Sequence, residues 1–249
     1  MRYFIHLAFD GTDFHGWQIQ QNAKSVQECL DKSLEILFRT SLSTTGCGRT
    51  DTGVHARDFY AHFDSENEID CGPNKIHQLN SILPAGIVVY AIFPVKNEQH
   101  SRYDAVSRTY EYSLYNYKNP FLSRFALFYP GNPDISKMNE AAGLLIGKKD
   151  FSCFCKSGSD PVNTICEVTE AVWLESANGF VFRISANRFL RNMVRSIVGT
   201  LLEIGEGKSN LVDLQNILES RDRSRAGVSV PAKGLSLVKV RYDFFSKNK

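Results

Sequence analysis

The stretch Gly46-Cys47-Gly48-Arg49-Thr50-Asp51-Thr52-Gly53-Val54-His55-Ala56 crowds a guanidinium, a carboxylate and an imidazole into one glycine-punctuated loop. Glycine lets a backbone turn sharply and approach another group closely, and loops held by a rigid scaffold are where chemistry tends to sit. Residues 43–63 read as strand, loop, strand, with the glycines marking the loop. Outward from there, further strands are predicted over 2–9, 87–95, 107–115, 163–175, 180–186 and 235–240. Ser25 followed by Glu28 is a capping-box pattern, and Val26, Leu30, Leu34 and Leu37 then recur at helical spacing, which predicts a helix over 26–39. Other helices are predicted over 73–83, opened by Pro73, and over 135–146, 188–204 and 210–219. Strands follow strands more often than they alternate with helices. The predicted fold is therefore α+β, with a mixed, largely antiparallel central sheet flanked by helices.

The chain has 249 residues, 43% of them hydrophobic, enough for one large domain or two packed lobes with cores of their own. Net charge is only +2, from 29 basic and 27 acidic residues, so any nucleic-acid binding must come from local patches. The six cysteines form no compact disulfide framework. Cys153, Cys155 and Cys166 lack the paired Cys-x-x-Cys spacing of structural zinc, so buried thiols and no metal are expected. The sequence opens without the apolar run of a signal peptide, and no stretch reaches the ~20 apolar residues of a membrane span. A reducing, cytoplasmic setting away from membranes is the expectation.

Several chemistries are open to the loop. Gly46-x-Gly48 lacks the third glycine and the following helix of a dinucleotide site. Asp51-Thr52-Gly53 matches the tripeptide of aspartic proteases, whose two carboxylates share a proton; Arg49 would hold Asp51 ionised and opposes that arrangement. A turn without chemistry is the plain alternative.

The loop also resembles the signature Gly-Arg-Thr-Asp-x-Gly-Val-His of the tRNA pseudouridine synthase A family, with Thr52 where alanine is common. Other family-like blocks follow in order along nearly the whole chain: Phe9 through Gln18, Ser25-Val26-Gln27-Glu28, Asn80-Ser81-Ile82-Leu83-Pro84, His100-Ser101-Arg102-Tyr103-Asp104-Ala105 and Arg108-Thr109-Tyr110-Glu111-Tyr112. Asp150-Phe151-Ser152-Cys153-Phe154, Asn187 through Arg195, and Pro231-Ala232-Lys233-Gly234-Leu235 complete the series.

The resemblance implies the pseudouridine synthase fold, with two similar-sized lobes over 1–105 and 106–249 around a central cleft. It implies isomerisation of uridine to pseudouridine in tRNA, at nucleotides 38–40 of the anticodon stem-loop, by a homodimer. The reaction moves the ribose bond from N1 to C5 of uracil without redox change or phosphoryl transfer, so no cofactor is expected. Asp51 is implied as the catalytic carboxylate, either attacking covalently or initiating the elimination that frees the base. The family's Met-Val-Arg motif implies Arg195 as its cationic partner, since burying a carboxylate alone costs several kcal/mol. Tyr110 is implied as the ring against the uracil and as an aid to removing the C5 proton, with Leu235 as apolar cover.

Arg49 is expected to touch the RNA backbone or hold the target nucleotide out of its stack, at a few kcal/mol of unstacking. His55 is read equally as an RNA contact or a structural histidine. Arg188, Arg191 and Arg195 lie three and four apart, which would put them on one face of the 188–204 helix. Arg102 with Arg108, Arg188 with Arg191, and Arg221, Arg223 and Arg225 are the candidate phosphate clusters, because phosphate contacts need positive charge.

Overall fold

The computed structural model describes residues 1–159 and 161–248, which divide into two compact units: Met1–Val106 with Ser236–Lys249, and Ser107–Leu235. The first unit opens with β1 (Arg2–Phe9), α1 (Val26–Phe38), β2 (Thr45–Gly46), β3 (His55–Asp64), α2 (Pro73–Ile82) and β4 (Ile87–Val95). β5 (Ala105–Tyr115) carries the chain into the second unit, followed by β6 (Leu127–Phe128), α3 (Ile135–Gly143), β7 (Gly147–Asp150), β8 (Ile165–Ser176) and β9 (Gly179–Ala186). Helices α4 (Met193–Gly205) and α5 (Leu211–Ser220) follow, and β10 (Leu235–Tyr242) returns the chain to the first unit. The fold is α+β, mixed and mostly antiparallel, as expected.

In the first unit the strand order is β4-β1-β3-β10. β1 pairs antiparallel with both β3 and β4, whereas β10 joins β3 in parallel, Ser236 opposite His55 and Leu237 opposite Ala56. The last strand, part of the expected lobe over 106–249, is grouped in the compact unit of the Asp51 loop, where it pairs with the strand that leaves that loop. One face of β1 is buried and the other partly so. Tyr3, Ile5, Leu7 and Phe9 are buried on one side; on the other Phe4 is met edge-on by Tyr242, Phe244 and Phe245.

α1 starts where the sequence places it. Ser25 accepts the Glu28 amide at 3.2 Å, but the Glu28 carboxylate turns outward to Lys32, so only half of the capping box forms. Asp31 on this helix accepts both the amide and the hydroxyl of Thr44, at 3.1 and 2.6 Å. Burial pushes its carboxyl up to about 6 in spite of these bonds. Its charge therefore opposes folding above pH 6, and that cost fades as pH falls from 6 toward 4. His62, pushed down to about 4 mainly by burial, has the opposite slope: the stability it contributes is lost as pH falls from 6.5 to 4. Asp31→Asn keeps an acceptor for Thr44 without the charge. Allowing for the solvent Asp31 still sees, it should stabilise by about 1 kcal/mol at pH 7–8 and by nothing near pH 4. The variant should also lose stability more steeply than the wild type between pH 6.5 and 4, because only the His62 slope remains. Thermal melts across that range are the check, and equal curves would refute it.

The second unit carries the antiparallel order β5-β9-β8-β7, with β6 in parallel beside the end of β5. Asn139 of α3 exchanges two hydrogen bonds with the backbone of Trp173, which pins that helix across β8. Tyr112, Leu114, Phe182, Ile184, Met138 and Met193 are all buried in its core.

Candidate active site

Asp51 opens a β-turn at the head of β3. The Val54 amide donates to Asp51 O at 3.1 Å, and Gly53 takes φ +78° at the turn's third position, where glycine is favoured. The turn is held from outside as well, since the Gly53 amide donates to Phe14 O at 3.2 Å. Gly16 lies with φ +84°, and a Cβ there would sit 2.2 Å from Thr50 O. A Cβ on Gly11 would sit 2.0 Å from Val54 O. The segment 10–17 is thus laid backbone to backbone against residues 50–54, a contact only glycine allows. Trp17 closes the base of the loop, stacking on Phe59 at 4.4 Å and covering Gly46. Asp51 itself is half-buried and Arg49 exposed.

His55 is part of this scaffold. It is 3% exposed, and the Gly11 amide donates to its Nδ1 at 3.0 Å. Asp10 Oδ1, itself held by the amide and hydroxyl of Thr12, lies 3.1 Å from the same nitrogen.

In the second unit Tyr110 on β5 meets Phe189 edge to face, with ring centroids 5.1 Å apart, a geometry that fixes its ring plane. Arg195, in the first turn of α4, donates from Nε to Val230 O at 2.8 Å, and the Val230 amide returns a bond to Arg195 O at 3.2 Å. Val230 lies on a strap, residues 226–231, that runs along the helix. A Cβ on Gly199 would sit 1.9 Å from Val228 O. The Gly227 amide donates to Thr200 Oγ1 at 2.9 Å, and Ser229 Oγ accepts from Asn192 and Arg223. Tyr112, whose pKa burial pushes up so that it stays a donor, gives its hydroxyl to Pro231 O at 2.8 Å. Its ring leaves no room for a side chain on Gly234, next to Leu235, which is 5% exposed.

A family model described as tRNA pseudouridine synthase matches residues 141–243. A Bacteroides thetaiotaomicron protein named tRNA pseudouridine synthase A is 45% identical over 99% of this chain and 93% of its own length. Proteins of the same name from Bacteroides fragilis (46% identical; 97% of this chain, 96% of that one) and Ruminiclostridium cellulolyticum (37%; 96% and 98%) align as fully. The chain belongs to the tRNA pseudouridine synthase A family.

Two expectations for this tRNA pseudouridine synthase A family member need correction. The helix bearing Arg195 begins at Met193, not 188, because Asn192 sits in the left-handed region (φ 66°, ψ 0°) and breaks the helical path. Arg188 and Arg191 therefore lie on the loop before α4 and share no helix face with Arg195. Of the proposed Arg221–Arg223–Arg225 cluster, Arg223 is turned inward onto Ala226 O and Ser229 Oγ; Arg225 is exposed, and so is Arg221, which pairs with Asp150 at 3.3 Å. Sequence reasoning missed Phe189 as the partner of Tyr110 and the strap that holds Arg195. The Gly227 and Gly199 pair was its only visible signal. No helix among the described residues is long and apolar enough to cross a membrane, and no His/Cys/Asp/Glu cluster among them is arranged to hold a metal.

Proposed function

We propose that Asp51 is the carboxylate with which this tRNA pseudouridine synthase acts, with Arg195 as its cationic partner and Tyr110 as the ring against the base. The protein is an isomerase that converts uridine to pseudouridine in tRNA. The observation that carries the assignment to Asp51 is the doubly pinned turn: a half-buried carboxylate held rigidly by glycine-only backbone contacts. Such fixing is what a group acting on one bond of a bound substrate requires.

The chemistry balances without an outside reagent. The C1′–N1 bond breaks with its electron pair leaving on the uracil, while Asp51 either bonds to C1′ or takes the C2′ proton. The base turns, C5 bonds to C1′, and the C5 proton passes to water while N1 takes up a proton, which restores the aromatic ring of the product. Asp51 is released or returns its proton. Tyr110 offers a ring face to the detached uracil, worth ~1–3 kcal/mol, and a hydroxyl near the C5 proton. Leu235 excludes water from the base, and Arg49, Arg188 and Arg191 meet the RNA backbone. The substrate position is the 38–40 segment of the anticodon stem-loop, and the working form is a cytoplasmic homodimer.

The experiment is release to water of tritium carried at C5 of uridine in a tRNA transcript. Release with conversion at nucleotides 38–40 supports the reading. Tight tRNA binding without release would instead describe a binding protein.

A further inference from the structure

One block singled out by the sequence has no place in the chemistry above: His100-Ser101-Arg102-Tyr103-Asp104. In the first unit these residues form the connection after β4, and it is held with unusual density. Ser101 is fully buried; its hydroxyl donates to Thr45 O at 2.7 Å and lies 2.8 Å from His62 Nδ1. Tyr242 donates its hydroxyl to Ser101 O at 2.5 Å. The amides of Arg102 and Tyr103 both point at His100 Nδ1, and Asp104 closes the loop by accepting the His100 amide at 2.8 Å. Arg2 holds Gln99 O at 2.9 Å. All of this order surrounds an exposed arginine at position 102.

Arg102 lines a cleft of about 100 Å³ whose other walls include Arg49, Thr44, Gln27 and Trp17, with Gly48 at its margin. The remaining lining residues are uncharged, so the cleft is doubly cationic. The polar wall opposite is fixed too, because Gln27 donates to Thr44 O at 2.6 Å while accepting from Gln18. A Cβ on Gly48 would meet nothing, which leaves that stretch of backbone open to a ligand. Two guanidinium groups on one small cleft suit the oxygens of a phosphate geometrically.

We propose that this cleft seats one phosphate of the substrate RNA backbone, between Arg49 and Arg102. The proposal rests on the reading of the protein as a tRNA enzyme. It goes further by giving the 100–104 block a role as a rigid mount for the second cation. Arg49 is two residues from Asp51, so their Cα atoms lie within ~7 Å, which sets the seated phosphate within a few nucleotides of the target. The seat would fix the register of the strand against the carboxylate without reading any base, as phosphate contacts do.

The test is equilibrium binding of an unmodified tRNA transcript over a series of NaCl concentrations, for the wild type, Arg102→Ala, Arg102→Gln and Arg102→Lys. Taking away one cation that neutralises a phosphate makes the dependence of log K on log salt shallower by ~0.7–0.9. Arg102→Ala and Arg102→Gln should show that change and bind about tenfold more weakly at moderate salt, and Arg102→Lys should keep the wild-type slope. Arg102 is exposed, and thermal melts of the three variants show whether the mount survives. A wild-type slope in folded Arg102→Ala or Arg102→Gln overturns the proposal. So does inorganic phosphate that stabilises the wild type but not Arg102→Ala while all slopes stay equal, since the cleft would then serve a free anion. Failure of the enzymatic reading would show separately, as absent tritium release, because the salt slope needs no turnover.

Discussion

Asp51→Asn should reduce tritium release from tRNA by at least ~10³-fold while tRNA affinity and melting temperature stay near the wild-type values. Asparagine has the same size, and the bonds that fix the turn are made by backbone: Val54 to Asp51 O, and Gly53 to Phe14 O. On the proposed assignment, the substitution removes the negative charge beside the sugar as its bond to the base breaks. A reduction of ~10³ corresponds to about 4 kcal/mol of transition-state stabilisation, within the range of a well-placed charge in a closed site. Gly16→Ala probes the same carboxylate by moving it instead of removing it. Its φ of +84° strains any other residue, and the new Cβ would collide with Thr50 O, so the turn must shift. A displacement near 1 Å can cost ~10²-fold, so Gly16→Ala should lose kcat with Asp51 still present and charged. Asp51→Asn with more than a tenth of wild-type activity would end the assignment. Full activity in Gly16→Ala would show that the turn's position does not matter.

The contrast between these two residues also shows what a sequence can and cannot disclose. Asp51 stood out because its neighbours in sequence form a dense pattern. Gly16 did not, because its reason for being glycine lies 34 positions away at Thr50. Local signals were readable wherever the physics is local: Ser25 caps α1, Pro73 opens α2, and alternation sets β4 at 87–95. They failed where tertiary partners decide. Gly-Lys-Lys-Asp at 147–150 has no strand pattern and becomes β7 through its ladder with β8. The apolar run from Phe189 suggested an early helix start, but Asn192 turns left-handed and frees Phe189 for Tyr110. β10 was legible as a strand, yet its parallel pairing with β3 was not, since no turn ties the two together.

Arg195→Lys should cost nearly as much activity as Asp51→Asn, although it keeps the positive charge. The guanidinium is planar, and its Nε is anchored on Val230 O, so the direction of its remaining donors is set by the strap. A lysine has one ammonium on a flexible stem. It can take the Val230 carbonyl or point toward the substrate, but it cannot do the first to enforce the second. A fall in kcat of ~10²-fold or more with KM nearly unchanged is the expected signature of the proposed role in the chemical step, as opposed to one in tRNA binding. Gly199→Ala should reproduce part of that fall from outside the site: its Cβ would drive Val228, and with it the Val230 carbonyl, off the helix. It should also melt earlier, by the ~1–3 kcal/mol typical of overpacking, whereas Arg195→Lys should not. If Arg195→Lys keeps kcat within about threefold of the wild type, charge neutralisation alone suffices. The strap would then be architecture and not a device for aiming a guanidinium.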